Sequence, residues 1–407
     1  MDAVPGPPPV YLDHAATTRV RPEVRRAMAA AEERGFGNPS SAHAAGRAAR
    51  ACLDAARDRL AAVLGADPSG IVFTAGGSEA DNLALRGVAA ATGPGHLVIS
   101  GVEHEAVLRT ASALERSGWE VTRVAVDRAA RVDPERLRSA LRPETRLVSI
   151  MAANNEVGTV QPLAELVAVV RRHSSALFHT DAVQALGRLP LDARSLGVDL
   201  LAVSAHKCGG PKGVGALWAR PGTRLVPQLT GGLQERGQRA GTENVPGIVG
   251  FGLAAALAEE ERPLQAVRQR RLADRLRREV LAGGTGAVAT GAEGEERLPG
   301  FATFAFPEVA GDLLLLRLDR AGIQVSAGSA CTSGAVHPSH VLAAMGLPPE
   351  LAAGGLRCTT GRATTEAEVD RAGAAIVAAA LAVRAAAVGG PSGRWPGSAT
   401  ALPGPRR

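Results

Sequence analysis

Short apolar runs alternate along this chain with longer stretches rich in Ala, Leu and Arg. The runs are IVF (71–73), HLVIS (96–100), RLVSIMA (146–152), ALFHT (176–180) and LLAVS (200–204). Strands alternating with helices predict an α/β fold with a mainly parallel sheet covered by helices on both faces. From about residue 247 to 282 the pattern is helical, with Leu272, Leu276 and Val280 recurring every four residues. Pro263 lies inside that stretch and predicts a kink, because proline has no N–H and crowds the preceding turn. Fresh strand character follows at FATFAF (301–306), then helices near 312–321 and 365–385, which predict a second, smaller α/β domain. There is no internal repeat. The ends are rich in Pro and Gly and are expected to be disordered, over 1–10 and 388–407. Between them a large domain is drawn over 11–262, its first few residues packing with the small domain, and a small domain over 263–387.

Composition narrows the class. Of 407 residues, 45% are hydrophobic, which suits a globular chain with a large core. No stretch approaches the roughly 20 apolar residues of a membrane span. The opening MDAVPGPPPV lacks the basic-then-apolar order of a secretory signal. Four cysteines (Cys52, Cys208, Cys331, Cys358) form neither a disulfide framework nor a CxxC pair, so the cytoplasm is the expected compartment. A net charge of +6, without a basic run interleaved with aromatics, argues against direct nucleic-acid binding.

The cations carry a sharper signal. Of 46 Lys and Arg residues only Lys207 and Lys212 are lysine, and both lie in VSAHKCGGPKG (203–213). Arginine keeps its proton in proteins, whereas a desolvated lysine can lose it and attack a carbonyl to form a Schiff base. Either the two lysines are accidents of composition or one of them is a covalent anchor.

The strand ends favour the anchor. HLVIS leads to Glu103 and His104, RLVSIMA to Asn154, Asn155 and Glu156, ALFHT to Asp181 and Gln184, and LLAVS to Ser204, His206 and Lys207. In open α/β sheets ligands bind outside the carboxyl ends of the strands, so these residues converge if the strands are parallel neighbours. IVFTAGGSEADNLAL adds a Gly-Gly turn and then Ser78 at a helix start, a natural seat for a phosphate and equally an ordinary helix cap. A Schiff-base lysine, a phosphate seat, a buried aspartate and a histidine for the ring face together describe a site for pyridoxal 5'-phosphate. Asp181 would pair with the pyridine nitrogen, Gln184 would bond the ring hydroxyl, and His104 would stack on the ring.

The motifs in order are YLDHAATT (11–18), GNPSSAH (37–43), FTAGGSEADNLAL (73–85), EHEAV (103–107), NNEVGTVQP (154–162), HTDAVQ (179–184), SAHKCGGPKG (204–213), QERGQRAGTENV (234–245), SAGSACTSG (326–334) and LRCTTGR (356–362). On these the chain resembles the cysteine desulfurases of the NifS/IscS type, in the class V aminotransferase group of fold-type I pyridoxal phosphate enzymes, over about residues 10 to 380. The resemblance implies a large domain with a mainly parallel seven-stranded sheet flanked by helices, plus the smaller C-terminal domain. It implies that Lys207 forms the Schiff base, that Asn155 sits with Gln184 near the ring hydroxyl, and that Gly77, Ser78, Ser204 and His206 hold the phosphate. It also implies that Thr242 reaches the phosphate of the other subunit of a homodimer, that Arg357 grips the carboxylate of L-cysteine, with Asn155 also at the substrate, and that Lys212 has no catalytic role.

Cys331, in a run of small residues, aligns with the sulfur-accepting nucleophile of the family. The implied reaction converts L-cysteine to L-alanine and leaves a persulfide on Cys331, with His104 helping to generate the thiolate. An iron–sulfur scaffold or a tRNA-thiolation sulfurtransferase would then take the sulfur. A metal site at Cys331, His337 and His340 is not expected, because C-x5-H-x2-H matches no standard zinc spacing. Leu233 interrupts a glycine run usual in the family, and Gly209, His337 and His340 replace other residues there. The lysine assignment has a direct check in visible absorbance. Lys207→Ala is expected to lose the cofactor's colour and Lys207→Arg not to restore it, while Lys212→Arg keeps both colour and activity; a colourless Lys212→Arg reverses the assignment.

Overall fold

The computed structural model describes residues 8–327 and 339–388. Its strands are β1 (Val10–Tyr11), β2 (Ile71–Thr74), β3 (His96–Ser100), β4 (Glu120–Val124), β5 (Thr145–Ser149), β6 (Leu177–Asp181), β7 (Leu200–Ser204), β8 (Gly215–Ala219), β9 (Val288–Ala289), β10 (Phe301–Ala305), β11 (Ile323–Gln324) and β12 (Gly355–Thr359). Seven of them form one sheet in the order β2-β8-β7-β6-β5-β3-β4. The pairs β4–β3, β3–β5, β5–β6 and β6–β7 are parallel, and β8 runs antiparallel between β7 and β2.

Alternate residues of each strand enter cores on opposite faces, as the two-residue period of a strand requires. Val98, Val148, Leu201 and Val203 join one cluster, while Leu97, Ile99, Leu147, Leu200 and Ala202 join the other. This is why the central strands read as unbroken apolar runs. Two strands escaped that reading. β4 is an edge strand whose Glu120, Thr122 and Arg123 face outward or are half-buried, so it shows no apolar run. β8 is a short GALWA segment directly after the lysine-bearing turn.

The small domain pairs β12-β10-β9 antiparallel. β1 pairs with β11 in parallel, Val10 opposite Ile323, and Val10 and Leu12 lie in one core cluster with Leu272, Leu276, Phe304 and Leu318. Val10 is a strand residue, inside the stretch expected to be disordered through residue 10, because its side chain is 1% exposed in the small core.

The helix Val245–Ala282 is one element of 38 residues that runs on through Pro263. Pro263 is exposed, where water can serve the carbonyl left without an amide donor. Its first half buries Ile248, Phe251, Ala254 and Ala255 in the large core, and its second half buries Leu272, Ala273, Leu276 and Val280 in the small one. The boundary drawn at 262/263 thus falls within a helix that both cores share.

One buried ion pair ties the helix Ala44–Val63 to the sheet edge. Arg57 donates to both carboxylate oxygens of Glu235, at 2.9 and 2.7 Å, and to the carbonyl of Ile71 at 2.7 Å. Phe73 N–H donates to Glu235 at 2.8 Å, and the Arg57 guanidinium lies 4.8 Å from the Phe73 ring centroid. Glu235 has φ of +46°, a left-handed conformation that a non-glycine residue keeps only when its surroundings dictate it. Removing one partner of such a pair leaves a buried charge uncompensated, so Glu235→Ala is expected to cost about 3–5 kcal/mol in urea unfolding, with Arg57→Met/Glu235→Leu losing less.

Candidate active site

The carboxyl ends of β2, β3, β5, β6 and β7 open onto one cavity of about 340 Å³, within the size range of small-molecule sites. The parallel order of the strands puts them side by side. β2 supplies Gly77 and Ser78, β3 His104, β5 Met151 and Asn155, β6 Asp181, Val183 and Gln184, and β7 Ser204, His206 and Lys207. Ala15 and Ala16 of the N-terminal segment and Arg357 of β12 complete the wall.

Lys207 Nζ donates to the carbonyls of Ala15 at 2.6 Å and Ala16 at 2.7 Å. Asp181 is 5% exposed and accepts from Val183 N–H at 2.9 Å. Burial pushes its pKa up, while His104, that hydrogen bond and Lys207 pull the other way. His104 Nδ1 accepts from Ala106 N–H at 3.1 Å, capping the helix Glu105–Arg116 and placing the neutral ring's proton on Nε2. Gln184 is held at both ends of its amide, by the Ala15 carbonyl at 2.9 Å and Arg188 at 2.6 Å.

The phosphate end is built from β2 and β7. Gly77 opens the helix Gly77–Thr92, and a Cβ there would lie 2.7 Å from Val183 Cγ2. Gly215 lets β8 lie against this turn, since a Cβ on it would meet the Gly76 backbone at 2.5 Å. Ser204 Oγ is buried with no hydrogen-bond partner among the described residues. His206 Nδ1 lies 3.2 Å from Thr17 Oγ1, and its pKa falls to about 4 through burial and then the charges of Lys207 and Lys212. It is therefore a neutral donor here, not a cation. Lys212 is exposed and lines the outer mouth beside Ser78 and His206. An unpartnered buried hydroxyl, a helix N-terminus, an aspartate and an amine around one cavity fit the donor set of pyridoxal phosphate.

Arg357 is 3% exposed, donates to Asn155 O and Asp13 Oδ1 at 2.8 Å each, and leaves Nε unpartnered among the described residues. Thr242 is exposed and borders a separate cavity of about 180 Å³, so it does not join the cavity of its own protomer. Cys331 and His337 lie outside the described residues, but both flanks of their segment are tied to the site. Ser326 and Arg357 exchange backbone hydrogen bonds of 3.1 and 2.7 Å. His340 Nε2 donates to the carbonyl of Glu103 at 3.0 Å. The other cysteines differ: burial pushes the Cys208 thiol up to about 12 and the Cys358 thiol up as well, which makes both weak nucleophiles, and Cys52 lies on the helix Ala44–Val63.

Sequence reasoning missed Asp13, Asp81, Glu103 as an electrostatic neighbour, and Arg188. Asp81 carried a usable signal, because it stands four residues after Gly77 on the same helix face. Its ligand oxygen, those of Asp181 and a ring nitrogen of His104 lie within 4.8 Å of one another.

The description "Aminotransferase class-V" fits a family model matched by residues 10–372. A protein described as cysteine desulfurase IscS from Dictyoglomus turgidum is 47% identical over 363 residues, covering 89% of this chain and 92% of its own. A solved structure described as a NifS-like protein superposes with a TM-score of 0.86 at 38% identity, over 91% of this chain and 98% of its own. Another, described as SspA in complex with cysteine, gives 0.76 at 35% identity, over 86% and 98%.

Glu103 offers a test of the site's electrostatics. It is fully buried, accepts from Ser100 Oγ at 2.5 Å and Met151 N–H at 2.9 Å, and burial lifts its pKa from 4.5 to about 8. The folded state thus holds a proton that the unfolded state gives up, so stability falls as pH rises through this window. Glu103→Gln removes that penalty. The stability of the variant relative to wild type, from urea unfolding, is expected to rise between pH 4.5 and pH 8 and then level off.

Proposed function

The chain belongs to the aminotransferase class-V family, and on that premise we propose that it is a cysteine desulfurase that draws sulfur from L-cysteine onto Cys331. It is a pyridoxal phosphate-dependent enzyme. The observation that carries the sulfur-transfer reading is the tethering of the segment bearing Cys331. One flank is bonded to Arg357 and the other to the carbonyl of Glu103, both at the edge of the cavity that holds Lys207 and Asp181.

When bound, the cofactor supplies an electrophilic carbonyl carbon and a ring that withdraws electrons from the α-carbon of the amino acid. Lys207 is the covalent anchor, and its amine, once displaced by the amine of the substrate, is the base for the α-proton. The Ala15 and Ala16 carbonyls aim that amine from the N-terminal side. Asp181 would hold the proton of the ring nitrogen, and Gln184 and Asn155 would serve the ring hydroxyl. The Gly77 and Ser78 amides, Ser204 Oγ and the neutral His206 hold the phosphate through hydrogen bonds and the helix terminus. Arg357 receives the substrate carboxylate, for which its planar fork is suited and a lysine is not.

Cys331 then forms an S–S bond to the substrate sulfur as the Cβ–S bond breaks. The electron pair of that bond stays with the carbon skeleton, which takes up a proton and leaves as L-alanine, while the enzyme keeps a persulfide. His104, whose Nδ1 accepts from Ala106 N–H and leaves the proton on Nε2, would stack on the ring and help to set the ionisation of the incoming thiol. Delivery to an iron–sulfur scaffold or a tRNA-thiolation sulfurtransferase, a cytoplasmic setting, and a homodimer in which Thr242 reaches the phosphate of the other subunit complete the reading. The exposure of Thr242, outside the cavity of its own protomer, supports the last of these.

The reading predicts a split between binding and turnover. Cys331→Ser is expected to stay yellow and to shift its spectrum with L-cysteine. It should form no persulfide by intact mass before reduction and release almost no alanine with a thiol reductant. Cys52→Ser, Cys208→Ser and Cys358→Ser should each keep alanine release. Near-normal turnover in Cys331→Ser would overturn the desulfurase reading.

A further inference from the structure

Two carboxyl groups, Asp81 and Asp181, line the cofactor cavity close together, and the charge of a third, Glu103, acts on Asp81 from behind the wall. Asp81, Glu103 and Asp181 are 1%, 0% and 5% exposed, and they come from the helix Gly77–Thr92, the turn after β3 and the end of β6. The cations facing them are few. Lys207, after β7, is shared with the Ala15 and Ala16 carbonyls, and Arg357, from β12, is paired with Asp13. His104 faces Asp181 from the turn after β3. His179, on β6, stays neutral, because burial lowers its pKa to about 3. Like charges this close cannot all be ionised in a site of low polarity.

The hydrogen bonds decide which group gives way. Asp181 accepts the Val183 N–H and is countered by His104 and Lys207. Glu103 accepts the Ser100 hydroxyl and the Met151 N–H on Oε1 alone, its Oε2 has no partner among the described residues, and it too holds a proton. Asp81 Oδ1 has no hydrogen-bond partner among the described residues, and its neighbour His179 Nε2 stands 3.5 Å away on a ring bonded through Nδ1 to Ser149 Oγ at 2.8 Å. Burial, Asp181 and Glu103 all act on Asp81 in the same direction, toward holding a proton.

We propose that Asp81 is a neutral carboxylic acid and a positioning residue, packed against Asp181 so that a single carboxylate meets the ring nitrogen of the cofactor. A neutral Asp81 fills the floor beside Asp181 without adding a second negative charge, which would compete for the same proton. Asp181 then keeps an ionised partner role, and the polarity of the ring is set by one acid–base pair. This rests on the pyridoxal phosphate reading of the site.

The test uses Asp81→Asn, a neutral group of the same shape, in the full chain stripped of cofactor. Pyridoxal phosphate is titrated into wild type and variant, followed by visible absorbance. Infrared difference spectra of the two apoproteins are recorded at pH 7. The proposal expects dissociation constants within about threefold of each other, a gap of less than 1 kcal/mol. It also expects, beyond the Glu103 band common to both, a protonated-carboxyl carbonyl band in wild type that the variant lacks. A loss of affinity of about tenfold or more, or no such band, overturns it. Failure of the asparagine variant to fold overturns it too, since a neutral isostere should be tolerated. If wild-type apoprotein does not bind pyridoxal phosphate at all, the functional reading fails, and that result is distinct from a variant-specific loss.

Discussion

The backbone of Ala15 is where the two halves of this molecule and its chemistry meet. Its carbonyl accepts Lys207 Nζ at 2.6 Å and Gln184 Nε2 at 2.9 Å, and its N–H donates to Thr359 Oγ1 at 2.9 Å. The backbone of one residue thus couples the lysine turn after β7, the corner after β6 and the last residue of β12. A buried amide must find partners for both donor and acceptor, and here every partner belongs to the site or its frame. The N-terminal segment is held in turn by β1 against β11 and by Asp13 against Arg357. Displacing it would release the lysine, the glutamine and the arginine together.

Around that joint the site solves a charge problem. Asp81, Glu103 and Asp181 are all buried, and each functional group gets its protonation state from what faces it. His206 is neutral because burial disfavours its charged form, and then because Lys207 and Lys212 stand near it. Asp181 has the N–H, His104 and Lys207, whereas Glu103 has hydrogen bonds and His104 but not the lysine. The same amino-acid type therefore serves as a carboxylate at one corner and as an acid at another, a sorting that active sites achieve through burial and neighbours.

Much of this was legible in the chain. The apolar runs marked β2, β3, β5, β6 and β7 because strands buried on both faces have no polar face to interrupt them. The polar residues after each run marked the cavity, because parallel strands put their carboxyl ends on one edge. β4 and β8 were not legible. An edge strand faces solvent and carries charge, and an antiparallel insertion has no crossover helix to frame it. That one helix continues past Pro263 was not legible, because the exposure that lets water replace a missing amide donor is a tertiary property.

The sequence by itself determined the local parts: a lone lysine pair in an arginine-rich chain, a glycine turn before a helix start, an aspartate closing a strand, and an arginine within LRCTTGR. Each follows from the chemistry of a residue and its immediate neighbours. Only the tertiary structure decided which distant parts share an environment. It set Asp13 on Arg357 and Ala15 on Lys207 across separations of 344 and 192 residues, and it crowded Asp81 and Glu103 around Asp181. Protonation states and partners depend on distance and burial, and those are fixed when the sheet, the N-terminal segment and the small domain close on one another.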